Sequence, residues 1–544
     1  VGLVDDFSKC FLVGQLCIVL TLSAGCAARH LANPASAASA AIGSPESEIR
    51  GLWVDEFHAG IRTADEADQL VAAAQRCNVN TLLVQVRGRG DALYLQSSEP
   101  PREDPAYDPH FDALEYIITA AHRVGLEVHA WINAMPVWRD PTPPNDSRHV
   151  FRQHGLEQSG DADWLTRSPQ GETKFPVGYF LDPGHPAAAA YLADIYLNIV
   201  RHYAVDGIHF DYIRYPETEA RLPRGAAVGY NPTSLARFRH FIGRQDSLSL
   251  PEPDDQQWTV WRRQQVTQLV RRIYIEAKGI NPKLKVSAAV IAWGRPPHSK
   301  RDFDETAPMQ RIFQDWRGWL EEGILDLAVP MNYARERDPL VRSWFDGWIQ
   351  WEAQNKNGRQ LAVGLGTYLN PPEGTLAQIG RVRQAGQKYH PDGISLFSYF
   401  APYAAPVSPP GGSSSQVSTS ADSPSNRLSF LATGMVGDVS SPGAFGVAAS
   451  IPRMDWIEHP IKGWLAGFAR QGAAPADGAV VELKRAGWWG KSQRTLADGN
   501  GFFGFSNLRP GKYHARLKSS NGWLPRVNVE IVAGRVTRVE LVQP

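Results

Sequence analysis

Between Arg50 and about Ala401 the chain alternates short β-rich runs with amphipathic stretches, and this alternation limits the fold more than any other feature. Strand candidates fall at 51–56, 81–87, 127–133, 207–211, 285–293, 325–332, 361–367 and 393–398. Helical spacing lies between them, as at 64–77, 112–124, 187–203 and 258–278. Parallel strands need crossovers, and eight strand–helix units in one region predict a (β/α)8 TIM barrel. The alternative is a doubly wound open sheet, but no GxGxxG follows the first strand. No cofactor is expected.

The fourth strand carries the most pointed chemistry, VDGIHFDYIRYP at 205–216. Val205, Ile208 and Phe210 suit a buried parallel strand. Asp206-Gly207 reads as a turn on the entry side, and Pro216 ends the run. At the exit stand Asp211, Tyr212, Arg214 and Tyr215. Arg214 beside Asp211 would favour the ionised carboxylate.

Barrel active sites lie at the C-terminal ends of strands, and polar and aromatic residues recur at those ends here. They are Asp55, Glu56 and His58; Gln85, Arg87, Arg89 and Asp91; His129, Trp131 and Asn133; His209, Asp211 and Arg214; Trp293 and Arg295; Asn332 and Tyr333; Tyr368 and Asn370; and Tyr399. A polar-ligand site at that rim is expected.

The 56 basic residues balance 56 acidic ones, which argues against nucleic acid as a partner. Trp and Tyr, 17 of each, offer flat faces with a polar handle and suit sugar rings. Of four Cys, only Cys77 lies in the body, so no disulfide framework or Cys-based metal site can be built there. No HExxH occurs, and no metal is assigned.

Residues 1–26 read as an export signal, with Lys9 in the n-region and an apolar run from Phe11 to Leu22 too short to span a bilayer comfortably. Leu22-Ser23-Ala24-Gly25-Cys26 resembles a bacterial lipobox, in which Cys26 is lipidated. The expected location is the cell envelope, on an outer-membrane lipoprotein facing the periplasm. Residues 27–49 read as a flexible tether, 50–402 as the barrel, and 403–460 as a Pro/Gly/Ser-rich linker with an undefined segment. From 461 to 544 short alternating runs separated by turn residues predict a small all-β sandwich.

The region from Arg50 to Tyr399 resembles the bacterial glycosyl-hydrolase-like family ten. The strings that carry the resemblance are RGLWV (50–54), QVRGRGDALY (85–94), GLEVHAWIN (125–133), FLDPG (180–184), VDGIHFDYIRYP (205–216), FQDWRGWLEEGILDLAVPMNY (313–333) and SLFSY (395–399). The family includes division-site lipoproteins that cleave peptide-free peptidoglycan strands, and it implies a TIM barrel. The chain departs from its close members at Asn133-Ala134-Met135-Pro136, at Asp211-Tyr212 and at Trp293-Gly294-Arg295. The C-terminal strings GAVVEL (478–483) and ADGNGFFGFSNLRPGKYHARL (497–517) resemble carboxypeptidase-regulatory-like modules.

Glycoside hydrolysis needs two carboxyl groups. Asp211 is the expected ionised one. Asp315, in the FQDW string, is the expected acid, with Asp304, Glu56 and Asp91 as competitors. Arg87, Asp91, His129, Trp131, Asn133, His209, Tyr212, Arg214, Trp293, Asn332, Tyr333 and Tyr399 are the expected sugar ligands, with Trp131 or Trp293 as stacking floor. The rival readings are a non-catalytic glycan-binding envelope lipoprotein and a metal-dependent polysaccharide deacetylase or hydrolase.

Overall fold

The structure, a computed structural model, describes residues 45–218, 225–245, 249–403, 428–433, 443–487, 491–519 and 522–543. The expected leader with Cys26, most of the tether and much of the 403–460 segment lie outside the described residues.

Eight parallel strands close into a barrel in sequence order. They are β1 (Ile49–Val54), β2 (Thr81–Arg87), β3 (Glu127–Asn133), β4 (Gly207–Asp211), β5 (Lys285–Val290), β6 (Leu327–Pro330), β7 (Gln360–Gly366) and β8 (Gly393–Phe397), and β8 pairs with β1. The expected TIM barrel is therefore the observed fold. Around it run α1 (Ala64–Arg76), α2 (Ala113–His122), α3 (Pro186–His202), α4 (Pro232–Phe241), α5 (Gln256–Ile280), α6 (Trp316–Glu322), α7 (Pro339–Gln354) and α8 (Pro372–Gly386). Local chemistry sets their starts: Thr63 caps α1 by accepting from the Glu66 amide, and Asp255 caps α5 through the Trp258 amide.

Period two along the strands divides inside from outside. Trp53, Leu83, Trp131, Ala289, Leu327, Val329 and Ala362 form the cluster inside the barrel. Their neighbours Leu52, Val54, Leu82, Val84, Ala130 and Ile132 belong to the larger core beneath the helices. Gly207 is not a turn residue. It lies in β4, where a Cβ would come 2.7 Å from the His129 ring, so its bareness admits that imidazole. Asp206 does the turn's work by accepting from the Val128 amide at 2.8 Å.

The described part of the 403–460 segment is more than linker. Met454 and Ile457 join the cluster inside the barrel at its N-terminal end, and Gln360 donates to the Pro452 and Arg453 carbonyls. Trp456 donates to Asp326, and Phe445 lies under the Arg50 guanidinium. The segment shows no periodicity because single side chains plug the floor one at a time.

The C-terminal strands β9 (Gly463–Gln471), β10 (Val480–Arg485), β11 (Ser492–Leu496), β12 (Phe502–Leu508), β13 (Gly511–Ser519), β14 (Val527–Ile531) and β15 (Val536–Gln543) form two sheets. They share a core of Leu465, Phe503, Phe505 and Leu541 against Val481, Leu483, Leu517 and Ile531, the expected small β-sandwich. It packs on the barrel's flank. Arg237 of α4 forks onto Asp477 at 2.6 and 2.7 Å, Asn500 donates to the Pro186 carbonyl, and Asn507 donates to that of Glu322.

Candidate active site

The C-terminal mouth of the barrel centres on Asp211. It is the last residue of β4, in the inward register beside Asn133 of β3, and 7% exposed. Burial raises its carboxyl to about 6, opposed by the Arg214 charge, the Tyr212 amide and the Trp131 indole. The Tyr212 amide donates to Asp211 Oδ1 at 2.7 Å, and Tyr212 adopts φ +47°, a left-handed conformation unusual for a bulky residue. Such strain gathers at functional sites, where surrounding structure holds it.

Aromatic rings wall this carboxyl. Phe397 stacks with Tyr333 at 5.6 Å between centroids and meets Trp131, Trp53 and Tyr368 edge to face at 6.0–6.4 Å. The negative charge of Asp211 helps keep the Tyr333 phenol far above its ordinary value, after burial and Tyr368. Arg214 lies over the Tyr212 ring at 4.5 Å and the Trp293 ring at 5.5 Å. The structure thus gathers Asp211, Trp131, Asn133, Tyr212, Arg214, Trp293 and Tyr333 around one opening. Phe397 is absent from the sequence expectation, although its inward position at the end of β8 was readable from period two.

Other expected site residues are placed elsewhere. Asn332 turns outward, donating to Glu352 of α7 at 2.9 Å, because it falls on the opposite parity from Met331 and Tyr333. Arg87 is wholly buried and forks onto Glu99 at 2.8–3.0 Å, with further bonds to the Asn133 and Ala134 carbonyls. That is a clamp behind the strand ends rather than a sugar ligand. His129 and His209 point inward but one layer too deep, without solvent exposure. Both share the Ser287 hydroxyl at 2.9 Å, and His209 accepts from the Trp53 indole at 3.0 Å. Burial drives the His209 imidazole well below its ordinary value, so it is neutral filling. Tyr399 is buried, its amide on the Trp53 carbonyl.

The expected acids also separate. Asp315 caps α6, accepting from the Gly318 amide at 3.0 Å. Its charged neighbours are Arg263, Asp304 and Lys300 on flanking helices, so it is not paired with Asp211. Asp304 faces Lys300 at 3.7 Å and is half-exposed. Glu56 has the outward parity of β1 and bonds Arg102, which also lies 3.6 Å from Asp91. Burial, with Asp91 adding to it, pushes the Glu56 carboxyl up to about 8. Asp91 accepts from the Arg89 amide at 3.1 Å, a turn cap. Asp55 instead continues the inward register of β1 past Trp53. It accepts from His58 Nδ1 at 2.6 Å, and the His58 ring stacks on the exposed Phe400 at 3.7 Å. Among the described residues no group of three His, Cys, Asp or Glu could hold a metal ion.

A family model described as Glycosyl hydrolase-like 10 matches residues 48–373. The chain is similar to the glycosyl hydrolase DigH of Escherichia coli (strain K12), 28% identical over 304 residues, covering 52% of this chain and 61% of that protein. It is similar to the glycosyl hydrolase YngK of Bacillus subtilis (strain 168), 24% identical over 357 residues, covering 60% and 63%. The chain thus spans less than two thirds of the length of these curated relatives. Among solved structures, the glycoside hydrolase domain of PgaB (BpsB) from Bordetella bronchiseptica aligns with a TM-score of 0.47 at 14% identity, covering 65% of this chain and 94% of that one.

Proposed function

The chain belongs to the glycosyl hydrolase-like 10 family, and from that premise we propose that the barrel is an O-glycosyl hydrolase of a polysaccharide, namely peptide-free peptidoglycan strands. One observation carries the reading: an inward carboxyl, Asp211, at the centre of a mouth walled by Trp131, Tyr212, Tyr333 and Phe397. Sugar rings pack on aromatic faces through their C–H surfaces, while a carboxylate serves the reacting carbon. A carboxyl near 6 is largely ionised at neutral pH, so Asp211 acts as nucleophile or as the base for water.

The leaving oxygen needs a proton from a second group. Asp55 supplies that side of the site together with His58, because it is a second rim carboxyl in the inward register, on β1 across the mouth from β4. In this reading Asp55 replaces Asp315, whose capping bond ties it to α6.

Kinetics on the purified protein test the proposal. Asp211→Asn should lower kcat by on the order of 10³-fold with little change in KM, since the lost interaction acts in the transition state. Asp55→Asn should lower it by about 10²-fold, more for poor leaving groups. A fully active Asp211→Asn protein would remove Asp211 from the chemistry. Tight glycan binding by the wild type without cleavage would favour a non-catalytic binding protein instead.

A further inference from the structure

Charge is balanced over the chain but not along it. Residues 461–544 hold 13 Lys and Arg against 5 Asp and Glu, so the C-terminal region carries a net charge of +8 and the rest of the chain −8. Such asymmetry points to an anionic partner for the basic part.

Strand register decides where the cations stand. β9, β12 and β15 make the sheet that packs on the barrel. Trp464 and Phe502 join the core beneath the helices, and Arg272 of α5 lies over the Phe502 ring at 5.7 Å. The other sheet turns its outer face away from the barrel. On β10 and β13, Val481, Leu483, Tyr513, Ala515 and Leu517 point into the sandwich core. Period two therefore sends Lys484, Lys512, His514, Arg516 and Lys518 outward. Arg494 of β11 stands on the same face, opposite Glu482. Trp523 pairs with Lys518 at the sheet edge, and the Arg494 and Arg516 guanidinia lie over its ring at 5.3 and 4.4 Å.

This face is not neutralised from within. Its acids are Glu482 and Glu530. Glu482 is buried and shared between Arg494, at 3.1 Å, and Arg516. Lys484, Lys512 and Lys518 form no ion pair among the described residues. The cations extend about 20 Å along β13 and about 10 Å across to β11. That spread exceeds what one small anion can meet, and the cations stand on an open sheet rather than around a groove. Separate cations with a half-buried indole among them fit a surface of anionic headgroups. Lys and Arg reach the phosphates, and Trp settles at the boundary between headgroups and acyl chains. The charge asymmetry favours the same pose, because such a surface attracts the basic sandwich and repels the acidic remainder.

We propose that the outer face of β10, β11 and β13 docks the protein on an anionic phospholipid bilayer, with the sandwich against the membrane and the barrel held off it. Docking of this kind is independent of what the barrel cleaves.

Vesicle sedimentation tests it on the full chain carrying Cys26→Ala, so that no lipid on that residue contributes. Vesicles of phosphatidylcholine alone are compared with vesicles that also contain phosphatidylglycerol. The chain should bind the anionic vesicles, and high salt should release it. Each Lys near an anionic surface adds about fivefold in affinity, so Lys484→Gln/Lys512→Gln/Lys518→Gln should weaken binding by about 100-fold. Lys174→Gln/Lys283→Gln/Lys388→Gln removes the same charge from exposed positions outside the sandwich and should leave binding unchanged. Thermal unfolding checks that each variant is folded. If the first triple variant does not fold, Lys512→Gln alone should still weaken binding about fivefold. Equal binding to both kinds of vesicle, equal loss in the two triple variants, or undiminished binding by the folded first one would overturn the proposal. Binding of soluble polyglutamate through the same three lysines, with none to vesicles, would overturn it in favour of a polymer ligand.

Discussion

Replacing Asp211 by Asn should make the protein more stable as it becomes inactive. Burial holds the carboxyl at about 6 in the folded chain, against an ordinary value of 3.8. A shift of roughly 2 units at 1.36 kcal/mol each means that ionising Asp211 costs the fold about 3 kcal/mol. Because the folded value is raised, the group's contribution is fully favourable below about pH 4 and is lost as pH rises towards 6. At pH 7.5 the unfolded chain is ionised and the full cost applies; at pH 4.5 about 1 kcal/mol remains. Asn keeps the shape and can accept from the Tyr212 amide without bearing the charge. Thermal unfolding at both pH values measures the difference. For a barrel of this size the melting temperature should rise by on the order of 4 °C at pH 7.5, and by clearly less at pH 4.5. An unchanged or lowered melting temperature at pH 7.5 would refute the view that Asp211 is a charge held against its solvation preference for the sake of the site.

Three further outcomes follow from the same structure. If Asp211 must be ionised, kcat/KM should climb with pH through a limb near 6, and a flat profile between pH 5 and 7 would contradict it. Arg87→Met should destabilise by about 3–5 kcal/mol, because Glu99 would be left buried without its partner; a loss below 1 kcal/mol in denaturant unfolding would return Arg87 to the ligand set. Cys26→Ala should move the protein from the membrane fraction to a soluble exported form, and unchanged fractionation would end the lipobox reading.

The barrel was legible because each unit carries its own local signal: branched residues in strands, capping residues at helix starts, and turns between. The rim was legible by position but not by facing. Asn332 and Tyr333 are adjacent in sequence, yet one turns to α7 and the other to the mouth. Glu56 and Asp55 divide in the same way, and a bulge between Gln85 and Arg87 resets the parity of β2 just where Arg87 leaves the lumen. Depth was less legible still. His129 and His209 face inward, but which layer is wet depends on the stagger of pairing around the barrel, which no single strand encodes. Asp315 shows the limit of a matching string: the capping bond to Gly318 explains it without chemistry. The floor segment at 443–460 was invisible because isolated anchors such as Met454 and Trp456 leave no periodic trace.

The most direct measurement incubates the purified full chain with peptide-free peptidoglycan strands, beside Asp211→Asn, and counts new reducing ends. Reducing ends should accumulate with the wild type and fall by on the order of 10³-fold with the variant. No reducing ends with the wild type, or equal release by a folded Asp211→Asn protein, would contradict a hydrolase centred on Asp211.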